Sequence, residues 1–126
     1  MKQPLAFIVE DDQKLAAIFT EALHAAQYNT ESILSGEKAA SRLSEIAPDL
    51  VILDLHLPQV SGKNILHQIR ADSRLQNTRV ILATADPIVA ETLRDEADVV
   101  LIKPVSYSQL RDLATRLRPP TYSNTP

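Results

Sequence analysis

The sequence predicts an α/β domain, a single doubly wound parallel sheet of five strands with five helices on its faces. Three observations carry that reading. Four short apolar runs lack the polar alternation of a half-exposed strand, which suits strands buried on both faces. Stretches with apolar residues at helical spacing separate the strands from one another. Strict alternation of strand and helix then leaves right-handed crossovers in a parallel sheet as the topology.

Leu5-Ala6-Phe7-Ile8-Val9 is the first strand and leads into Glu10-Asp11-Asp12. Over residues 13–26, Leu15, Ala16, Phe19, Ala22, Leu23 and Ala26 recur at helical spacing. Asp12 caps that helix, whose positive end suits acidic groups. Residues 30–34 read as a short second strand. Ser35 caps a helix through residue 46 that turns Ala39, Ala40, Leu43 and Ile46 inward, and Pro48 ends it before the third strand, 50–54. Residues 55–62 form a loop with Pro58 and Gly62. A third helix over 63–71 presents Ile65, Leu66 and Ile69, and the polar stretch 72–78 reads as a loop. The fourth strand covers 79–84 and breaks near Asp86-Pro87, a short helix covers 88–95, and 99–102 make the fifth strand. Ser106 to Gln109 has the spacing of a capping box, and the last helix turns Leu110, Leu113, Ala114 and Leu117 inward. The domain is expected over 1–118, with 119–126 a Pro-rich tail or linker stub.

Composition removes several functions. At 126 residues and 44% hydrophobic content the chain suits one domain with a proper core. A net charge of −3 without a basic stripe argues against nucleic-acid binding by this domain. The absence of cysteine removes disulfides, thiolate zinc sites and cysteine nucleophiles, and fits a reducing compartment. The first apolar run is too short for a signal-peptide core or a membrane span, so a cytoplasmic domain without membrane association is expected. Gly36 and Gly62 are the two glycines, which excludes a GxGxxG loop and a Walker phosphate loop.

Four strands end in a functional group: Glu10 and Asp11, then Asp54, Thr84 and Lys103. In an open parallel sheet these ends share one edge, where ligands bind. Clustered carboxylates repel unless a cation sits among them. Mg²⁺ suits a few carboxylate oxygens completed by water and phosphate. Lys103 offers a compact positive charge for a phosphoryl oxygen, Thr84 a hydroxyl proton, and an aspartate is a competent nucleophile for phosphoryl transfer. The residues point to a metal-assisted phosphoryl-acceptor site on Asp54.

Val9-Glu10-Asp11-Asp12, Leu53-Asp54-Leu55-His56-Leu57-Pro58 with Gly62, Thr84-Ala85 and Lys103-Pro104 together resemble the receiver domain of bacterial two-component response regulators, over about residues 5–117. The resemblance implies a CheY-like, flavodoxin-like sheet in the order 2-1-3-4-5. It implies Mg²⁺-dependent phosphotransfer to Asp54 from the phosphohistidine of a sensor histidine kinase or phosphotransfer protein. Asp11 and Asp54 would ligate the metal directly, Glu10 through water, and His56 through its backbone carbonyl. Thr84 and Lys103 would bind the phosphoryl oxygens. Such a domain is a phosphoprotein with at most intrinsic autodephosphorylation, not an enzyme, and homodimerisation is open to it.

Each residue taken singly has a plainer role. The acidic cluster could be a solvated helix start, Asp54 a loop cap, Thr84 a strand residue and Lys103 a surface charge. All four plain roles would have to hold together, in order, at one edge. His56 and Asp86 occupy rim positions, each two beyond a site residue, that influence phosphoryl lifetime in the family. His24 and His67 lie on helices away from the edge.

Two departures stand out. The family's aromatic residue three before the lysine is Val100 here, and the segment from Thr84 to Lys103 is about one helical turn short. Chemistry is therefore expected to survive while readout is atypical, and Tyr107, the nearest aromatic, reads as a packing residue. A pseudo-receiver interaction module is the alternative within the fold. A haloacid-dehalogenase-like hydrolase is a poor match, since its second aspartate is replaced by His56. A flavin-binding role lacks a phosphate loop and aromatic sandwich.

Overall fold

The computed structural model describes residues 2–120, so the rest of the expected tail, 121–126, lies outside the described residues. The elements run β1 (Leu5–Val9), α1 (Gln13–Ala25), β2 (Asn29–Ile33), α2 (Gly36–Glu45), β3 (Leu50–Asp54), α3 (Gly62–Ala71), β4 (Arg79–Thr84), α4 (Pro87–Leu93), β5 (Val99–Ile102) and α5 (Tyr107–Arg116). All strand pairs are parallel, in the order β2-β1-β3-β4-β5. The predicted fold class and strand order are therefore those observed.

Side chains alternate across a strand, so each strand serves two cores. Phe7, Val9, Val51, Leu53, Val80 and Leu82 pack with α2, α3 and α4 residues such as Leu43, Leu66 and Leu93. Ala6, Ile8, Leu50, Ile52, Ile81 and Leu101 pack with Phe19 and Leu23 of α1 and Leu110 of α5. Every residue of β3 is buried, as an apolar run without alternation requires. Continuing the alternation puts Glu10 and Asp54 toward the α1–α5 side.

The boundaries differ from expectation where capping chemistry acts. α1 ends at Ala25 because Gln27 takes a left-handed φ of 69°, with the Gln27 amide donating to the His24 carbonyl and Tyr28 to Leu23. That is a helix-ending motif in which glycine usually stands. β2 begins at Asn29, in register with Leu5, one residue before the expected strand. The stretch 72–78 holds a 3₁₀ turn, Ser73–Leu75, whose first amide bond goes to the Asp72 carboxylate. α4 begins at Pro87, one residue before the expected helix, because Asp86 caps it through the amides of Ile88 and Val89, and it ends at Leu93. Ser106 accepts from the Gln109 amide at 3.0 Å, the first half of the expected capping box.

Gly62 opens α3 where that helix crosses β3. A Cβ at Gly62 would strike the Asp54 carbonyl oxygen and lie 2.7 Å from Leu55 Cα, both backbone atoms at the end of β3. Gly62→Ala should therefore destabilise the domain by about 2 kcal/mol, the usual scale of overpacking. Denaturant midpoints of the two proteins check this, and an unchanged midpoint would show that β3 and α3 part freely.

Candidate functional site

The site is assembled by register. Val9 pairs with Leu53, so Glu10 follows β1 at the level where Asp54 ends β3. Asp54 pairs with Ala83, one residue before Thr84, and Thr84 pairs with Ile102, one before Lys103. The Lys103 amide donates to the Thr84 carbonyl at 2.8 Å, which extends the pairing to the lysine itself. Sequence positions from Glu10 to Lys103 thus meet at one sheet edge.

Glu10 is 2% exposed, Asp54 3% and Thr84 0%, whereas Asp11 is exposed. Lys103 Nζ donates to Glu10 Oε1 at 3.2 Å and to Asp54 Oδ1 at 3.3 Å. The His56 amide also donates to Asp54 Oδ1, at 3.1 Å, and the Asp12 amide to Glu10 Oε2, at 3.2 Å. The predicted cap is present, since the Asp12 carboxylate accepts from the Lys14 and Leu15 amides at the start of α1. The Thr84 hydroxyl accepts from the Asp86 amide at 3.1 Å, and His56 Nε2 lies 3.1 Å from the same oxygen.

Charge balance decides how these groups ionise. Burial pushes the Glu10 carboxyl up to about 7, with the Asp54 charge reinforcing the rise and the Asp12 amide and Lys103 opposing it. Burial works against the Lys103 ammonium, yet the charges of Asp54 and Glu10 outweigh it and hold the group above the usual lysine range. One lysine serves two buried carboxylates, with Asp11 beside them.

One carboxylate oxygen each from Glu10, Asp11 and Asp54 lies within 4.8 Å of the others. Among the described residues this is the group of acidic or histidine side chains that could share an ion. Its donors are all hard oxygens, the set that suits Mg²⁺ rather than a soft metal. His24 bonds Thr30 at 2.9 Å and His67 pairs with Glu96 at 3.2 Å, so neither joins the cluster.

A family model, the response regulator receiver domain, matches residues 6–115. The chain belongs to that family. Curated relatives include the phosphate regulon transcriptional regulatory protein PhoB of Rhizobium meliloti, 34% identical over 110 residues, covering 85% of this chain and 48% of that protein. The DNA-binding response regulator MtrA of Mycolicibacterium paratuberculosis is 33% identical over 103 residues, covering 82% of this chain and 46% of that protein. The receiver thus spans about half the length of these relatives. Among solved structures, the beryllofluoride-activated DrrB receiver domain superposes with a TM-score of 0.80 at 26% identity, covering 92% of this chain and 97% of that one. The DrrB protein is from Thermotoga maritima. Chemotaxis response regulator CheY4 of Vibrio cholerae superposes with a TM-score of 0.83 over 92% of this receiver and 99% of its own chain, a likeness of fold at 20% identity.

Every sequence-predicted site residue of this receiver lies at the β-sheet edge, and Glu10, Asp54, Lys103, His56 and Thr84 form one connected hydrogen-bond network. The contact between the His56 ring and Thr84 is the feature that the sequence did not disclose. The two residues are 28 apart, and no periodicity joins them.

The raised Glu10 group fixes a pH dependence. Its carboxyl ionises near 4.5 when unfolded and near 7 when folded, so folding favours the protonated form. The stability this contributes is complete below the unfolded value and is lost as pH rises toward the folded one. Without divalent metal at pH 8, Glu10→Gln should therefore melt higher than wild type, by about 4 °C for each kcal/mol recovered. Added Mg²⁺ should reverse that order by binding the ionised wild type. Thermal melts at pH 8 with Mg²⁺ or chelator check both halves, and a lower melting point for the variant under chelator would show that ionised Glu10 stabilises the fold.

Proposed function

We propose that this receiver takes a phosphoryl group onto Asp54 from the phosphohistidine of a sensor histidine kinase or phosphotransfer protein. The observation that carries the reading is a nucleophilic carboxylate, 3% exposed, at the end of β3 with an ammonium 3.3 Å away and two further carboxylates beside it. A purely structural aspartate has no use for that surplus of negative charge.

The contacts to Asp54 from the His56 amide and from Lys103 both fall on Oδ1. Oδ2 is the oxygen left to attack. An O–P bond forms at Asp54 as the P–N bond to the donor imidazole breaks, and that nitrogen leaves with its electron pair and takes up a proton. Lys103 then exchanges part of its contact with Asp54 for a phosphoryl oxygen, and Thr84 offers its hydroxyl to another. Asp11 and Asp54 would hold Mg²⁺ with the His56 carbonyl, and Glu10 would hold it through water. Bound there, the metal would neutralise charge on the phosphoryl oxygens during transfer.

The domain acts in this reading as a phosphoryl acceptor, with no catalysis beyond hydrolysis of its own acyl phosphate. It works in the cytoplasm and binds neither DNA nor membrane itself. No helix among the described residues is long and apolar enough to cross a membrane. Homodimerisation is compatible with this reading.

Incubation with acetyl phosphate and Mg²⁺ should add one phosphoryl group to the wild type by intact mass and none to Asp54→Asn. Wild type that stays unlabelled would leave the receiver as an interaction module alone.

Readout departs from the family pattern. Val100 is half-buried against the α2–α4 core, and its short branched side chain has no ring to rotate inward. α4 is only seven residues long. Beryllofluoride with Mg²⁺ should therefore move amide resonances strongly around Asp54 and Thr84 but weakly across α4, β5 and α5. Large shifts over that whole face, or dimerisation through it, would contradict a muted switch.

A further inference from the structure

The Thr84 hydroxyl has one proton and two lone pairs, and the residue is fully buried. One lone pair accepts the Asp86 amide. The proton needs an acceptor, because a buried hydroxyl that donates to nothing is costly. His56 Nε2, at 3.1 Å, is the partner atom that the structure places there. We propose that His56 is a positioning residue that holds the Thr84 hydroxyl proton in the unphosphorylated domain and competes for it with the phosphoryl group. The inference rests on Asp54 being the phosphoacceptor, and it gives the His56 ring a task separate from that of its backbone.

An imidazole accepts at Nε2 only when neutral and protonated at Nδ1. His56 is exposed, so water can satisfy that Nδ1–H. When a phosphoryl oxygen arrives on Asp54, the hydroxyl turns its proton to that oxygen. Nε2 is then left facing a lone pair of Thr84 Oγ1. The ring resolves the clash by turning away to solvent, so the His56–Thr84 hydrogen bond is given up when the phosphoryl group binds. No bond to carbon or phosphorus changes, and Thr84 remains a neutral hydroxyl throughout.

This differs from an effect of the residue's bulk on water reaching the phosphoryl group, because it acts through Thr84. Imidazole ¹⁵N spectra should be recorded well above the ordinary histidine pKa of about 6.5. The free protein should show His56 as the Nδ1–H tautomer, and Mg²⁺ with beryllofluoride should release it to the tautomer mixture of a solvent-exposed imidazole. His56→Leu removes the competitor and should tighten beryllofluoride binding about fivefold, the scale of one net hydrogen bond. His56→Gln restores an acceptor and should return affinity to near the wild-type value. In a Thr84→Val background the gain from His56→Leu should vanish, since the two residues act as one unit. An Nε2–H tautomer in the free protein overturns the inference, as does a gain of equal size in both backgrounds. Beryllofluoride that fails to bind the wild type overturns instead the phosphoacceptor reading beneath it.

Discussion

The bridge from Lys103 to both Glu10 and Asp54 is the constraint on which the site depends. Two carboxylates that are almost fully buried cannot both ionise cheaply at neutral pH, and one ammonium between them offsets only part of the cost. The remainder appears as the raised Glu10 group. That residual strain is useful for binding. In the proposed reaction a divalent cation would remove it, and a phosphoryl group arriving with the cation would give Lys103 a new partner as one of its old ones is modified. The resting site is thus held together by a contact that the proposed reaction is built to exchange.

The opposite edge of the sheet shows what a structural carboxylate looks like in this fold. Asp49 accepts from the Leu5 amide at 2.9 Å, and its own amide and carbonyl join β1 to β4. Asp98 accepts from the Val80 amide at 2.7 Å and pairs with both Arg70 and Arg79. Those contacts overcome burial and hold Asp98 below the usual carboxylate range. The Asp98 carboxylate has partners in surplus, and that of Asp49 is held by a strand amide. At the carboxyl edge the ratio is inverted, with Glu10, Asp11 and Asp54 around a single lysine. The same side chains at the two ends of the same strands therefore have opposite electrostatic balance, and only one end is poised to take up a cation.

How much the sequence disclosed follows from how local each signal is. β1, β3 and β4 were legible to the residue because strands buried on both faces leave unbroken apolar runs. Asp54, Thr84 and Lys103 were legible because a polar group that ends such a run has to lie at the sheet edge. β2 was displaced by one residue, since an edge strand carrying Asn29, Thr30 and Glu31 gives no apolar boundary. The end of α1 was missed because Gln27 does the work usually left to glycine, and a left-handed glutamine does not announce itself. The His56–Thr84 contact was beyond reach for a different reason. It depends on the path of the loop after β3, which packing against Gly62 sets, and on no pattern within either segment.

That same contact bears on how phosphorylation could be felt elsewhere. In this receiver Thr84 is tied to three things at once: the β5 pairing through its carbonyl, His56 through its hydroxyl, and the Asp86 amide through the same oxygen. Asp86 in turn caps α4 through the amides of Ile88 and Val89. A movement of Thr84 Oγ1 would therefore reach the cap of α4, one residue before Pro87, through the Asp86 amide. With Val100 too small to relay a ring movement, the cap is a hydrogen-bonded link from Thr84 into α4. Ile88, 77% exposed on the first turn of that helix, is the largest apolar exposure among the described residues and sits directly on the link. If a signal leaves this domain, one hydrogen-bonded path open to it runs from Thr84 through Asp86 into the start of α4, with no aromatic switch required.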